Sequence, residues 1–139
     1  MIKHYNGRLG TFDYDDEEFK IKNGCIHYIG NESDGNKIKI PEGIKNCSFM
    51  FHGCEFLVNA PVIPDGVMYC NFMFKGCSSL VNPPIIPKSV LNCGHMFKDC
   101  VSLKAYVLPP AGVKWFEMYK NCPPLIQEMD RFVHRFKKY

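Results

Sequence analysis

Long apolar runs are missing from this sequence of 139 residues. No stretch approaches the ~18 consecutive apolar residues of a membrane span, so no membrane partner is expected. Residues 1–30 also lack the unbroken apolar stretch of a signal peptide. Asp13, Asp15, Asp16, Glu17 and Glu18 stand where its apolar region or cleavage site would fall. A cytoplasmic protein is expected. Net charge is scant, at a formal +3, and gives little general pull on polyanions. The short signatures of several chemistries are absent as well. There is no Gly-x-Ser-x-Gly elbow, no glycine-rich phosphate loop and no His-Glu-x-x-His pair. No catalytic residue, no cofactor and no enzymatic activity are expected. The acidic run Asp13–Glu18 does not follow the order of a calcium loop and reads as a solvated turn.

Cysteine is plentiful, with eight in the chain, and a reducing compartment would keep most of them as thiols. Cys47 and Cys54, Cys70 and Cys77, and Cys93 and Cys100 are each seven residues apart. Common zinc sites draw on close Cys-x₂₋₄-Cys pairs, which this spacing does not supply. His52 and His95 fall at different offsets from the neighbouring cysteines. Cysteine is also a small hydrophobe, so buried thiols are expected and no metal ligands.

What the chain has above all is a period of 23 residues. IPEGIKNCSFMFHGCEFLVNAPV is followed by IPDGVMYCNFMFKGCSSLVNPPI, then IPKSVLNCGHMFKDCVSLKAYVL, then PPAGVKWFEMYKNCPPLI. Pro41, Pro64, Pro87 and Pro110 head the units. Met50, Met73, Met96 and Met118 recur, as do Cys54, Cys77, Cys100 and Cys122, and Leu57, Leu80, Leu103 and Leu125. A fixed period in this range points to a stacked solenoid, because one unit cannot bury its own apolar face. Each unit reads as strand, turn, short helix, turn. The helical piece would end at Gly53, Gly76, Asp99 and Asn121, residue types that tolerate the left-handed conformation. Val67, Val90 and Val113, the methionines, Phe51, Phe74, Phe97 and Tyr119, and the leucines should line the interior, with Leu80 and Met73 fully buried. The expected fold class is an α/β repeat solenoid, in one domain of three parts. These are an N-terminal β-hairpin cap (1–36), a solenoid of about four units (37–122) and a C-terminal capping helix (123–139).

The caps are read from local chemistry. Tyr5-Asn6-Gly7-Arg8 and Lys22-Asn23-Gly24-Cys25 each carry an Asn-Gly pair, which favours tight hairpin turns. Phe19, Ile21, Ile26 and Tyr28 alternate with polar neighbours, as half-buried strands do. Pro123 and Pro124 suit a first helical turn. Leu125, Met129, Phe132, Val133 and Phe136 follow helical spacing as one apolar stripe, opposite Arg131, Arg135, Lys137 and Lys138.

Charge is unevenly spread. Residues 1–35 hold seven acidic and four basic side chains, and residues 36–139 hold seven acidic and thirteen basic. His52, Lys75, Lys98 and Lys120 occupy one outward position of successive units. With Arg131 and Arg135 on the terminal helix they form a basic stripe and are the candidate partner-binding residues. An acidic protein surface is one partner such a stripe would suit, a nucleic-acid backbone another, and plain solubility a third reading.

The units resemble the BspA-type leucine-rich repeats, on "IPEGI…MFHGCEFL" and "IPDGV…MFKGCSSL" over roughly residues 37–126. The resemblance implies a right-handed leucine-rich-repeat solenoid with short strands in a parallel sheet, and a role in protein–protein recognition. The expected function is a non-enzymatic protein-binding module. It would act as an adaptor or an inhibitor of a protein partner, of a size that a phage or mobile element could encode. Nucleic-acid or nucleoprotein binding is the alternative.

Overall fold

A computed structural model describes residues 1–136. Two antiparallel hairpins open the chain. Strand β1 (Ile2–Gly7) pairs with β2 (Gly10–Asp15), from Ile2 opposite Asp15 to Gly7 opposite Gly10, and β3 (Phe19–Lys22) pairs with β4 (Cys25–Tyr28). The second hairpin turns at Asn23-Gly24, where both residues have positive φ (54° and 73°), as a two-residue turn between right-twisted strands requires. The first hairpin departs from expectation. Asn6 and Gly7 lie within β1, and the chain turns at Arg8-Leu9. Leu9 decides this. Its side chain is buried, its N–H donates to Tyr5 Oη (3.3 Å) and its carbonyl accepts from Lys45 N (2.7 Å). Gly10 follows at φ 121°, where a Cβ would stand 2.4 Å from the Gly43 carbonyl oxygen, so only glycine fits.

The expected α/β leucine-rich-repeat solenoid is not the architecture observed. Among the described residues the regular elements are the two small antiparallel sheets, a 3₁₀ turn at Gly35–Lys37 and one α-helix, α1 (Pro124–Phe136). Between residues 38 and 122 the chain runs in turns and extended links, with no repeat helix and no parallel sheet. Backbone conformation is the reason. Phe49, Phe72, His95 and Glu117 have φ between 49° and 64°, which interrupts each expected helical turn before its end. Gly53, Gly76, Asp99 and Asn121 are also left-handed, but they close tight turns rather than helices. Alternate N–H groups therefore point to different partners. Met50, His52 and Cys54 donate to carbonyls three residues back (3.0–3.2 Å). Cys47, Phe49, Phe51 and Gly53 donate to Tyr69, Asn71, Met73 and Lys75 of the following segment (2.8–3.1 Å). The same alternation recurs from Cys70 to Gly76 and from Cys93 to Asp99. Prolines such as Pro61, Pro64, Pro84 and Pro87 remove donors from the extended links. Parallel contacts survive there only as single bridges, such as Asn46 with Tyr69 and Asn59 with Asn82.

Side by side, these segments bury a continuous core. Phe51, Phe74, Phe97 and Tyr119 stack with ring centroids 5.4–5.7 Å apart and planes within 22°, and Tyr28 of β4 meets Phe51 at the start (5.3 Å). Leu80 and Met73 are fully buried, with Leu57, Val67 and Met96. The cysteines pack with them. Cys77, Cys100 and Cys122 each donate Sγ–H to a carbonyl of the preceding segment, those of Phe51, Phe74 and Phe97 (3.0–3.1 Å).

Helix α1 docks one position out of the expected phase. Leu125 (67% exposed) and Phe132 (62%) face outward, with Met129 also exposed, while Ile126 is buried and Val133 half-buried. The helix is held largely by polar and ring contacts. His134 stacks on Trp115 (4.0 Å), Tyr106 Oη donates to Asp130 (3.0 Å) and Gln127 Nε2 donates to the Cys122 carbonyl (2.8 Å). Lys137, Lys138 and the side chain of Phe136 lie outside the described residues. Among those described, no helix is long and apolar enough to cross a membrane.

Candidate protein-binding surface

Left-handed backbone at a bulky residue is uncommon and needs compensation from its surroundings. At Phe49, Phe72 and His95 the compensation is stacking. Phe49 lies on Phe72 (4.9 Å, 8°) and Phe72 on His95 (4.5 Å, 7°), and Phe116 meets the His95 ring edge-on (5.4 Å). The half-buried rings of Phe49, Phe72 and His95 floor the face on which the expected basic stripe stands.

The structure places the stripe residues together but not as a uniform row of cations. His52 is exposed beside Phe49 (5.9 Å). Partial burial, then Lys75 and His27, hold its imidazole below the usual histidine range, so it is mainly neutral near pH 7. Lys75 Nζ stands 5.8 Å from the Phe72 ring centroid, a cation–π distance. Lys120 is tied to Glu117 (2.9 Å). That carboxyl is held below its usual range, first by the Lys120 hydrogen bond and more weakly by His95 and Lys98. Glu117 thus puts an anion inside the stripe. Arg131 lines a cleft of about 190 Å³ together with Glu117, Lys120 and Asp130. Arg135 is exposed further along α1.

A second column was not anticipated. Val62, Ile85 and Leu108 repeat at the 23-residue spacing and are 76%, 86% and 60% exposed. Each sits in a proline-flanked extended link beside Ile63, Ile86 or Pro109, which point inward. Extended backbone sends neighbouring side chains to opposite faces, so with Ile63 and Ile86 turned inward Val62 and Ile85 face out. Pro61, Val62, Pro84 and Ile85 line an apolar groove of about 300 Å³, with Asp65 at its margin. The signal was present in "PVIP", "PIIP" and "VLPP".

The thiols offer no comparable chemistry. Burial pushes Cys47 and Cys122 up to about 12 and Cys54 up to about 11, so at neutral pH they stay protonated and poorly nucleophilic. Among the described residues, no group of three or more His, Cys, Asp or Glu side chains is placed to hold a metal ion. Comparison with protein-family models, with curated proteins and with solved structures gave no match to this chain.

Proposed function

We propose that the chain is a non-enzymatic protein-binding module, an adaptor or an inhibitor of a protein partner, working in the cytoplasm. The observation that carries this reading is the exposed apolar column Val62, Ile85 and Leu108. Contiguous apolar surface kept in water at regular spacing marks an interaction site more often than a neutral face does. Interface cores are depleted in charge and rimmed by polar groups, and the groove with Asp65 at its edge has that character. Eight cysteines without a disulfide among them suit a reducing compartment. The motif resemblance to BspA-type units favours recognition over catalysis. The basic stripe suits an acidic rim on the partner. Its neutral histidine and its Lys120–Glu117 pair weaken it as a track for a nucleic-acid backbone.

The test is capture from native extract by wild type and by Ile85→Asp, with circular dichroism to verify folding. The reading expects a partner held by wild type and lost by the folded variant, with no retention on oligonucleotides. If the folded variant keeps every wild-type interaction, the apolar column is not the docking surface. Salt-sensitive oligonucleotide binding would replace this reading with the nucleic-acid one.

A further inference from the structure

The two hairpin tips bracket a cleft of about 660 Å³, lined by the Arg8-Leu9 tip, the Asn23-Gly24 tip, and Tyr5, Asn46 and Tyr69. It lies apart from the apolar column. Among the described residues no carboxylate lines it. The first hairpin segregates its charge along its length. Asp13, Asp15 and Asp16 gather at the open end, where Asp15 and Asp16 hold the Met1 ammonium (3.2 and 3.1 Å) and Asp13 holds His4 (2.8 Å). Arg8 is alone at the tip and has no acidic partner among the described residues. Asp13 is opposite His4, three residue pairs from Gly7 and Gly10. That separation is about 10 Å, comparable with the screening length of physiological salt, so the acids do little to offset Arg8.

The other polar groups in the cleft are donors or have donors to spare. Asn46 Oδ1 is already used by the Ser48 N–H (2.9 Å), which leaves its amide hydrogens. Tyr5 Oη accepts from Leu9 N (3.3 Å) and keeps its own proton to give. Tyr69 is 38% exposed and presents a second phenol. Asn23 adds another side-chain amide. A guanidinium, two phenols and two amides around one cleft, with no anion among them, form a site that lacks only an acceptor. We infer that this cleft binds an oxyanion, a phosphate or carboxylate group on a small ligand, with Arg8 as its counter-ion. The volume admits a ligand of sugar-phosphate or nucleotide size. Guanidinium pairs with either oxyanion through two parallel N–H bonds.

The experiment is amide chemical-shift mapping on ¹⁵N-labelled protein, titrated separately with pyrophosphate, adenosine monophosphate and citrate. Saturable shifts confined to residues around Arg8, Asn23, Asn46 and Tyr69 are expected with at least one probe. Response to the phosphates or to citrate assigns the oxyanion class. Arg8→Gln, at an exposed turn, should weaken the binding about tenfold or more, as loss of a charged hydrogen-bonding partner does, and Tyr69→Phe should weaken it less. The inference is overturned if no probe gives saturable shifts, if Arg8→Gln binds as wild type does, or if the shifts map instead to Lys75 and Lys98.

Discussion

Raising the pH should unfold this protein, and the buried thiols set where. Burial lifts Cys47 and Cys122 from an ordinary 9.0 to about 12. It also raises Cys70, Cys77 and Cys100, each with smaller contributions from neighbouring thiols. In the unfolded chain these groups ionise as pH passes about 9, while in the folded protein they keep their protons. Their contribution is therefore complete below pH 9 and is lost as pH climbs towards the folded values. At pH 10 ionisation of Cys47 and of Cys122 each favours the unfolded state by about 1.4 kcal/mol. Cys47 and Cys122 together withdraw about 3 kcal/mol, and Cys70, Cys77 and Cys100 act in the same direction. Cys54, lifted to about 11, withdraws nearly as much as Cys47 at that pH. The sum comes close to the lower end of the roughly 5–15 kcal/mol that holds a domain folded, so a steep loss of stability is expected by pH 10. Urea midpoints followed by circular dichroism between pH 7.5 and 10.5, in a phosphine reductant, measure the slope. Cys77→Ala should flatten it by about one proton's worth. A fall in stability of less than about 1 kcal/mol between pH 8 and pH 10 would refute the reasoning, because thiols that ionise alike in both states cannot be enclosed as described.

Other outcomes follow from the packing and the surfaces. Phe74→Ala should cost about 3–5 kcal/mol in chemical denaturation, towards the upper end because both the Phe51 and the Phe97 stack are lost. Ile126→Ala should cost about 2–5 kcal/mol, whereas Leu125→Ala should change stability by less than about 0.5 kcal/mol, and thermal melts of the two compare them directly. With an aromatic disulfide reagent, Cys25, the one thiol that is not fully buried, should react first and the others only on unfolding. Reversing Lys75, Lys98 and Lys120 to Glu should preserve the fold by circular dichroism. It should slow capture of an acidic partner mostly at low salt without abolishing docking at the apolar column.

The sequence made the interior columns legible because period and side-chain type are enough to assign burial. Leu80, Met73 and the Phe51 series are where the 23-residue spacing puts them. It did not make the backbone legible. Nothing in "CSFMFHGC" announces a left-handed Phe49, since phenylalanine is not a residue that seeks positive φ. Stacking on Phe72 and the hydrogen bond to Asn71 impose that conformation from a distance. With it the expected helices and the α/β class were lost. The hairpin tip shifted for a similar reason, as the burial of Leu9 outweighed the local preference of Asn6-Gly7. The phase of α1 followed His134, Asp130 and Gln127 rather than the apolar stripe. On the candidate surface, the lysine column was legible as an outward position, but its offset by Glu117 was not. The Val62 column was visible only as paired apolar letters between prolines.

The alternating backbone bonds also set an order in time. Cys47, Phe49, Phe51 and Gly53 present donors whose acceptors, at Tyr69 to Lys75, are synthesised about one 23-residue period later. At the ~5–20 residues per second of translation, that interval is on the order of one to five seconds for each row. A nascent chain therefore always shows one open row of N–H groups, the kind of edge on which another chain can pair. At the start, the hairpins already answer the first segment, through the Leu9 carbonyl to Lys45 N and Tyr28 N to the Met50 carbonyl. At the end, α1 lies over the last segment through Trp115 and Cys122. Ribosomes that stall between residues 60 and 120 would thus release chains with an uncovered edge, the form of this protein most prone to aggregate.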